Sequence, residues 1–193
     1  MRIVTSGTHS VGKSTVVWDF LKAHPDYIRE EEPYRALCDN YDIKFGKDST
    51  RYCNGIQLFY NISRIQQYQS SQDKVIFDRS PVDYIAYSLY TAHYHQTDLD
   101  MAFVESLIEP VRQALTCVDV LFFVSINQNH LVDIEDDGIR LIDEAYRSEV
   151  DAFFKEIYFD NRFDVLPKNH APKVVELWGS REARIDKMNE YLS

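Results

Sequence analysis

The sequence predicts an α/β fold: short buried strands alternate with amphipathic helices, and binding groups gather where strands end. Three observations carry this. First, Gly7-Thr8-His9-Ser10-Val11-Gly12-Lys13-Ser14 fits G-x-x-x-x-G-K-[ST] at every fixed position. Arg2–Ser6 before it reads as a buried strand, and Val16, Val17, Phe20 and Leu21 after it recur at helical spacing. Second, Lys74–Asp78 and Val118–Ile126 are short runs rich in β-branched and aromatic residues, separated by helical patterns. Third, candidate strands end in acids, Glu32 and Asp78, at the edge where α/β sheets bind ligands.

Strand, glycine loop and helix together make an anion cradle. Glycines let backbone N–H groups converge on phosphate oxygens, and the positive helix end faces the charge. Residues Gly7, Thr8, His9, Ser10, Val11, Gly12, Lys13, Ser14 and Thr15 are therefore the expected nucleotide-binding set. Lys13 is expected to reach the β- and γ-phosphates, and the Ser14 hydroxyl to hold Mg²⁺. The alternative is an ordinary glycine turn with a surface lysine. Strand and helix on either side of the motif argue against it.

Bulk composition narrows the function classes. The chain has 193 residues, enough for one domain with a full core, and one domain over 1–193 is expected. A net charge of −10 argues against a broad nucleic-acid or anionic-membrane surface, while leaving room for a local basic pocket. Cys38, Cys53 and Cys117 are odd in number and form no C-x-x-C pair, so neither a disulfide frame nor a zinc site is suggested. Reduced thiols, no leader pattern before the first strand and no membrane-length apolar run make a cytoplasmic protein the expectation.

Along the chain, Tyr27–Glu32 reads as a second strand ending at Pro33, although three successive glutamates are poor strand formers. Glu32 at its end is a candidate base for a substrate hydroxyl, or part of a solvated acidic edge. Residues 34–50 are polar and show little periodicity. A long helix is expected over Arg51–Gln72, with Ile56, Phe59, Ile62, Ile65 and Tyr68 as its apolar stripe. Gln57, Tyr60 and Arg64 share another face, which lines a substrate pocket or faces solvent. Lys74–Asp78 is the clearest internal strand, and Asp78 is placed to position Mg²⁺ or its water. Ser80-Pro81-Val82-Asp83 reads as a helix start with Ser80 as N-cap and Asp83 completing an acidic capping box, both in structural roles. That helix is expected to reach Tyr94, and another to cover Leu99–Leu115.

The buried strand Val118–Ile126 leads into a polar stretch, and residues of about 127–147 are a candidate lid. Arg140 and Arg147 lie seven apart, on one face of an expected helix running to Tyr158, either clamping a phosphoryl group or pairing with Asp143, Glu144 or Asp151. Lys173–Trp178 is the last strand, and the helix after Gly179 carries Arg181 and Arg184 on a face where an adenine could stack.

Taken together, Gly7–Ser14, Glu32-Pro33, the Asp78–Tyr84 segment, Asp137-Gly138-Ile139-Arg140 and the Gly179–Arg184 segment resemble the P-loop kinase group of nucleoside and nucleotide kinases. The likeness is nearest to the nicotinamide-riboside-kinase-like AAA-type ATPase family. It is similar at two points to deoxynucleoside kinases, with Asp78 in place of their usual glutamate. The resemblance implies a five-stranded parallel sheet in order 2-3-1-4-5 as a three-layer sandwich with a lid. It further implies Glu32 as base, Arg79 near the acceptor hydroxyl and lid arginines on the phosphates. The expected function is an ATP-dependent small-molecule kinase, with a nucleoside such as nicotinamide riboside as acceptor. The alternatives are an NTP-hydrolysing switch acting on a protein or lipid partner, and a non-enzymatic nucleotide-binding protein. Asn127-Gln128-Asn129-His130 lacks the final acid of a guanine motif, which favours ATP without excluding GTP. Kinases of this group are often dimeric, so a homodimer is among the expected states.

Overall fold

The structure, a computed structural model, describes residues 1–70, 72–94, 97–127 and 143–192. Its sheet is built from β1 (Arg2–Ser6), β2 (Ile28–Glu30), β3 (Val75–Asp78), β4 (Val120–Val124) and β5 (Lys173–Leu177). All neighbours pair in parallel, in the order β2-β3-β1-β4-β5. The order reverses beside β1, so the crevice at its C-terminal end is the binding point for this class of sheet. β3 and β4 are buried along their whole length, which is why they read as unbroken apolar runs. β2 is an edge strand of only three residues, shorter than the expected Tyr27–Glu32, because Glu31 and Glu32 leave the ladder before Pro33.

Successive strand residues feed two cores. Ile3, Ile76, Phe122 and Val175 face α1 (Lys13–Ala23) and α7 (Arg181–Asn189), where Val16, Val17, Phe20 and Met188 cover them. Val4, Phe77, Leu121 and Phe123 face the opposite layer, built by α3 (Arg51–Ile65), α4 (Pro81–Tyr94), α5 (Met101–Leu115) and α6 (Glu144–Phe159). A fully buried side chain of this size contributes about 1.5–3 kcal/mol, so either core alone outweighs any single polar contact described below. Side-chain caps start α3, α5, α6 and α7. Thr50 accepts from Cys53 N, Asp100 from Phe103 N, Asp143 from Tyr146 N and Ser180 from Ala183 N.

Several expectations are corrected. The helix expected over 51–72 ends at Ile65. Its buried face is Cys53, Asn54, Gln57, Leu58, Asn61, Ile62 and Ile65, whereas Phe59 is exposed. The inner face accepts amides because α4 and a cavity, not a purely apolar layer, lie opposite it. Residues 34–50 are also not featureless: a short helix, α2 (Pro33–Leu37), and a 3-10 turn at Gly46–Asp48 fall there. Most of the lid expected at 127–147, Arg140 included, lies outside the described residues. Among the described residues no helix is long and apolar enough to cross a membrane.

Candidate functional site

The loop between β1 and α1 has the backbone an anion cradle requires. Gly7 has φ 135°, and a Cβ there would collide with the Val124 carbonyl on the neighbouring strand. Gly12 caps α1 with φ 85°, a left-handed turn natural to glycine. Lys13 is buried at the first turn of α1 and donates to the Thr8 carbonyl at 2.5 Å. Two arginines from distant segments close on the same loop. Arg184 of α7 donates to the Val11 carbonyl at 2.9 Å, and Arg147 of α6 to the Ser10 carbonyl at 3.2 Å. Burial lowers the pKa of both guanidiniums below their ordinary value. Their Nε atoms and the Thr8 hydroxyl are buried with no hydrogen-bond partner among the described residues. Buried donors left open, beside a backbone that no Cβ fills, suit a multiply charged anion rich in acceptor oxygens.

Beside the loop, Arg79 organises a buried ionic cluster. It directly follows β3 with φ 147°, a strained value for a residue with a side chain. Its Nε donates to Glu32 at 2.8 Å, its Nη1 to Asp83 at 2.9 Å and to the Tyr87 hydroxyl at 3.3 Å. Burial by itself would lower the Arg79 pKa, but Tyr87, Glu32 and Asp83 outweigh it and hold the pKa well above its ordinary value. Asp83 is completely buried and also accepts from the Ser6 hydroxyl at 2.5 Å, and that hydroxyl meets Tyr158. Burial raises the Asp83 carboxyl above the usual range against the pull of Arg79 and Lys13. Asp83 therefore does not serve the capping box expected of it: its carboxylate has stronger partners in Arg79 and Ser6, and only its backbone N–H turns back to the Ser80 carbonyl. The Ser80 hydroxyl does serve the helix start, accepting from Val82 N.

A cavity of 730 Å³ opens between this cluster and the segment before α3. One wall is His9 of the phosphate loop, stacked on Tyr146 at 5.0 Å between ring centres. Arg79, Tyr84 and Tyr87 of the β3–α4 segment form a second, and Asn54 and Gln57 of α3 a third. Phe45, Gly46, Asp48, Ser49 and Thr50 close it. The sequence offered no signal for that last group, because its role depends on being folded over α3 and α4: Thr91 of α4 donates to the Gly46 carbonyl, and the Ser49 hydroxyl to Asn54.

The expected site residues thus divide. Lys13, Arg147 and Arg184 converge on the loop, Glu32 and Arg79 meet each other, and Gln57 lines the cavity. Tyr60 and Arg64 are not among the lining residues. Arg64 instead grips Glu30 of β2 through two bonds, at 2.8 and 2.6 Å, because an edge carboxylate lies directly across from it. Arg181 is likewise drawn away, into an exposed pair with Asp19 of α1 at 2.6 Å. Asp78 is buried at the end of β3 and gives one oxygen to Arg29 at 3.3 Å. The Ser14 hydroxyl and Asp78 carboxylate are hard oxygen donors, the kind a divalent cation takes alongside phosphates and water. Among the described residues no group of three or more His, Cys, Asp or Glu side chains could hold a metal by itself.

Sheet order and loop define a P-loop protein with the fold of the nucleoside and nucleotide kinases. The chain belongs to the AAA domain family, whose profile matches residues 2–184. No curated protein matches it. Among solved structures it is similar to deoxyadenosine kinase from M. mycoides with bound dATP, at 18% identity and a TM-score of 0.67, over 100% of both chains. It is similar to the NadR protein in complex with NR, at 16% identity and a TM-score of 0.66, over 98% of this chain and 51% of that one. It is also similar to thymidylate kinase from Candida albicans, at 15% identity and a TM-score of 0.65, over 98% of this chain and 89% of that one. The chain thus spans about half the length of NadR.

Proposed function

We propose that the protein transfers the γ-phosphoryl group of Mg·ATP to a hydroxyl of a nucleoside-like small molecule. The observation that carries this reading is the buried Glu32–Arg79 pair, joined at 2.8 Å, with Arg79 in the wall of a cavity that also reaches His9 of the phosphate loop. Phosphoryl transfer is mainly positioning and charge neutralisation, and this arrangement supplies both. Lys13, Arg147 and Arg184 neutralise the donor's phosphates. Ser14 and Asp78 would hold Mg²⁺, which would draw charge from the phosphate oxygens. Glu32, held beside the cavity by Arg79 though not itself among the lining residues, accepts the acceptor's hydroxyl proton.

Arg79 is committed to Glu32 and Asp83, while Lys44, also a lining residue, has only a loose exposed pair with Asp42 at 3.9 Å and is open to an anionic group. The NadR protein in complex with NR, the deoxyadenosine kinase and thymidylate kinase all support a nucleoside-like or nucleotide acceptor. AMP-PNP, bound in a second NadR complex to which the chain is similar at a TM-score of 0.63, supports an adenine nucleotide as donor. Free Cys38, Cys53 and Cys117 support a reducing, cytoplasmic setting.

The test follows labelled γ-phosphate from ATP across a panel of nucleosides, with wild type and Glu32→Gln. Label is expected on one acceptor class, and Glu32→Gln is expected to lower transfer by about 10²–10⁴-fold with ATP affinity nearly unchanged. If label goes only to water and Glu32→Gln keeps the wild-type rate, an NTP-hydrolysing switch replaces the kinase.

A further inference from the structure

Tyr84 stands on α4 next to Asp83, three residues before Tyr87 and four before Ser88, so these three share a helix face. That face looks into the cavity. Tyr84 and Tyr87 both line it, and Asn54, another lining residue, donates to the Ser88 hydroxyl at 2.9 Å. Tyr84 is only 3% exposed, and its hydroxyl is buried with no hydrogen-bond partner among the described residues. A buried phenol ordinarily finds a partner, because one left unmade costs more than the ring's packing needs. Phenylalanine would fill the same space without that cost. Open donors on Thr8, Arg147 and Arg184 gather at the phosphate loop, whereas this one lies in the cavity wall.

We propose that Tyr84 is a specificity-determining residue for the acceptor, its hydroxyl bonding a polar group of a nucleoside-like molecule other than the hydroxyl that receives the phosphoryl group. The proposal rests on the kinase reading above. The charged and titratable groups around the phenol are Arg79, Glu32, Asp83 and Tyr87. Burial holds its pKa well above the ordinary value, so it stays neutral and can both donate and accept. A site shaped around a hydrogen-bonding partner rejects molecules lacking that group, since binding them would seal the phenol away unpaired.

Tyr84→Phe in the full chain tests this in two ways. Without any ligand, the thermal midpoint is expected to match or exceed wild type, because the deleted hydroxyl bonds nothing in the fold. A clear fall would tie the hydroxyl to the fold and overturn the proposal. With an acceptor that wild type phosphorylates, kcat/KM for that acceptor is expected to fall about tenfold with the KM for ATP unchanged. Among analogues each lacking one polar group, one should be handled equally by both proteins. Equal kcat/KM for every acceptor in both proteins would overturn the proposal while leaving the kinase reading intact. Label passing from wild type only to water would overturn the kinase reading and the proposal together.

Discussion

The two halves of the site are built from different materials. On the nucleotide side the main chain itself is shaped: Gly7 and Gly12 take left-handed or extended turns, and Arg147 and Arg184 bind carbonyl oxygens of the loop. On the cavity side, side chains do most of the shaping, although Arg79 with φ 147° and Gly46 with φ 58° also bend the main chain there. Tyr84, Tyr87 and Tyr146 supply area, and Arg79 is aimed by Glu32 and Asp83. A site made from backbone tolerates change in most side chains but not in its glycines. A site made from side chains can be retuned one residue at a time. Sheets of this kind can therefore keep one phosphate-binding loop while the cavity beside it diverges.

The largest expected effect breaks the backbone half. Gly7→Ala must place a methyl group against the Val124 carbonyl at a φ of 135°. The loop is expected to distort and Mg·ATP affinity to fall by more than about 100-fold, with a lowered thermal midpoint. Gly55→Ala is the matching change on the cavity side. There the new methyl meets only the Phe103 ring at 3.9 Å, inside α3. It is expected to stabilise the protein by up to about 1 kcal/mol with nucleotide affinity unchanged. Calorimetry and thermal melts on the two variants check the contrast. Equal effects would mean that the glycines of the loop are not special.

A middle-sized effect probes how the cavity wall is attached. α3 is fastened to the edge strand by side chains, with Glu30 accepting from Arg64 and from the Tyr68 hydroxyl. Burial opposes the charged form of Glu30, but Arg64 and Tyr68 outweigh it and hold the carboxyl below its ordinary range. Stability from a depressed carboxylate is complete above the unfolded pKa, ~4.3 for glutamate, and is lost as pH falls through the depressed folded value. Glu30→Gln is expected to cost about 1–3 kcal/mol at neutral pH and to flatten the acid limb of the stability curve. Denaturant melts from pH 7 down to pH 3 measure it. An acid limb as steep as wild type would place the fastening elsewhere.

What was legible in the sequence follows the same division. The loop, β1, β3, β4 and the start of α4 depend on neighbours in the chain, so glycine spacing and unbroken apolar runs reveal them. The sheet order 2-3-1-4-5 came through resemblance, and the pairing bears it out. The cavity wall was mostly hidden. Phe45, Asp48 and Thr50 become lining residues only after a polar stretch folds across α3 and α4. Gln57 reads as sharing a face with Tyr60 and Arg64, yet it is buried with Asn54 and Asn61, while Phe59, which looks like core, is 54% exposed. Asp83 fits a local capping pattern, but a guanidinium four residues back and a serine on β1 are stronger partners than a helix end. Local patterns therefore mislead where tertiary charge pairing competes with them.

The smallest expected effect sharpens the comparison within one helix. Arg181 and Arg184 lie one turn apart at the start of α7, and spacing alone gives them a shared role. Their surroundings separate them. Arg184 is 4% exposed and reaches the Val11 carbonyl of the phosphate loop, with its Nε buried and unpartnered. Arg181 lies in the open, and its guanidinium is spent on Asp19. An exposed ion pair gains little, because water screens it and two long side chains must be held still. Arg181→Ala is expected to leave both the thermal midpoint and Mg·ATP affinity within experimental scatter of wild type. Arg184→Ala removes a buried cation from the loop and is expected to weaken Mg·ATP binding by about tenfold or more. Titration calorimetry on the two variants side by side decides it. If Arg181→Ala lost affinity as Arg184→Ala does, the pair with Asp19 would have to open when nucleotide binds. The outer arginine would then belong to the backbone-built half of the site after all.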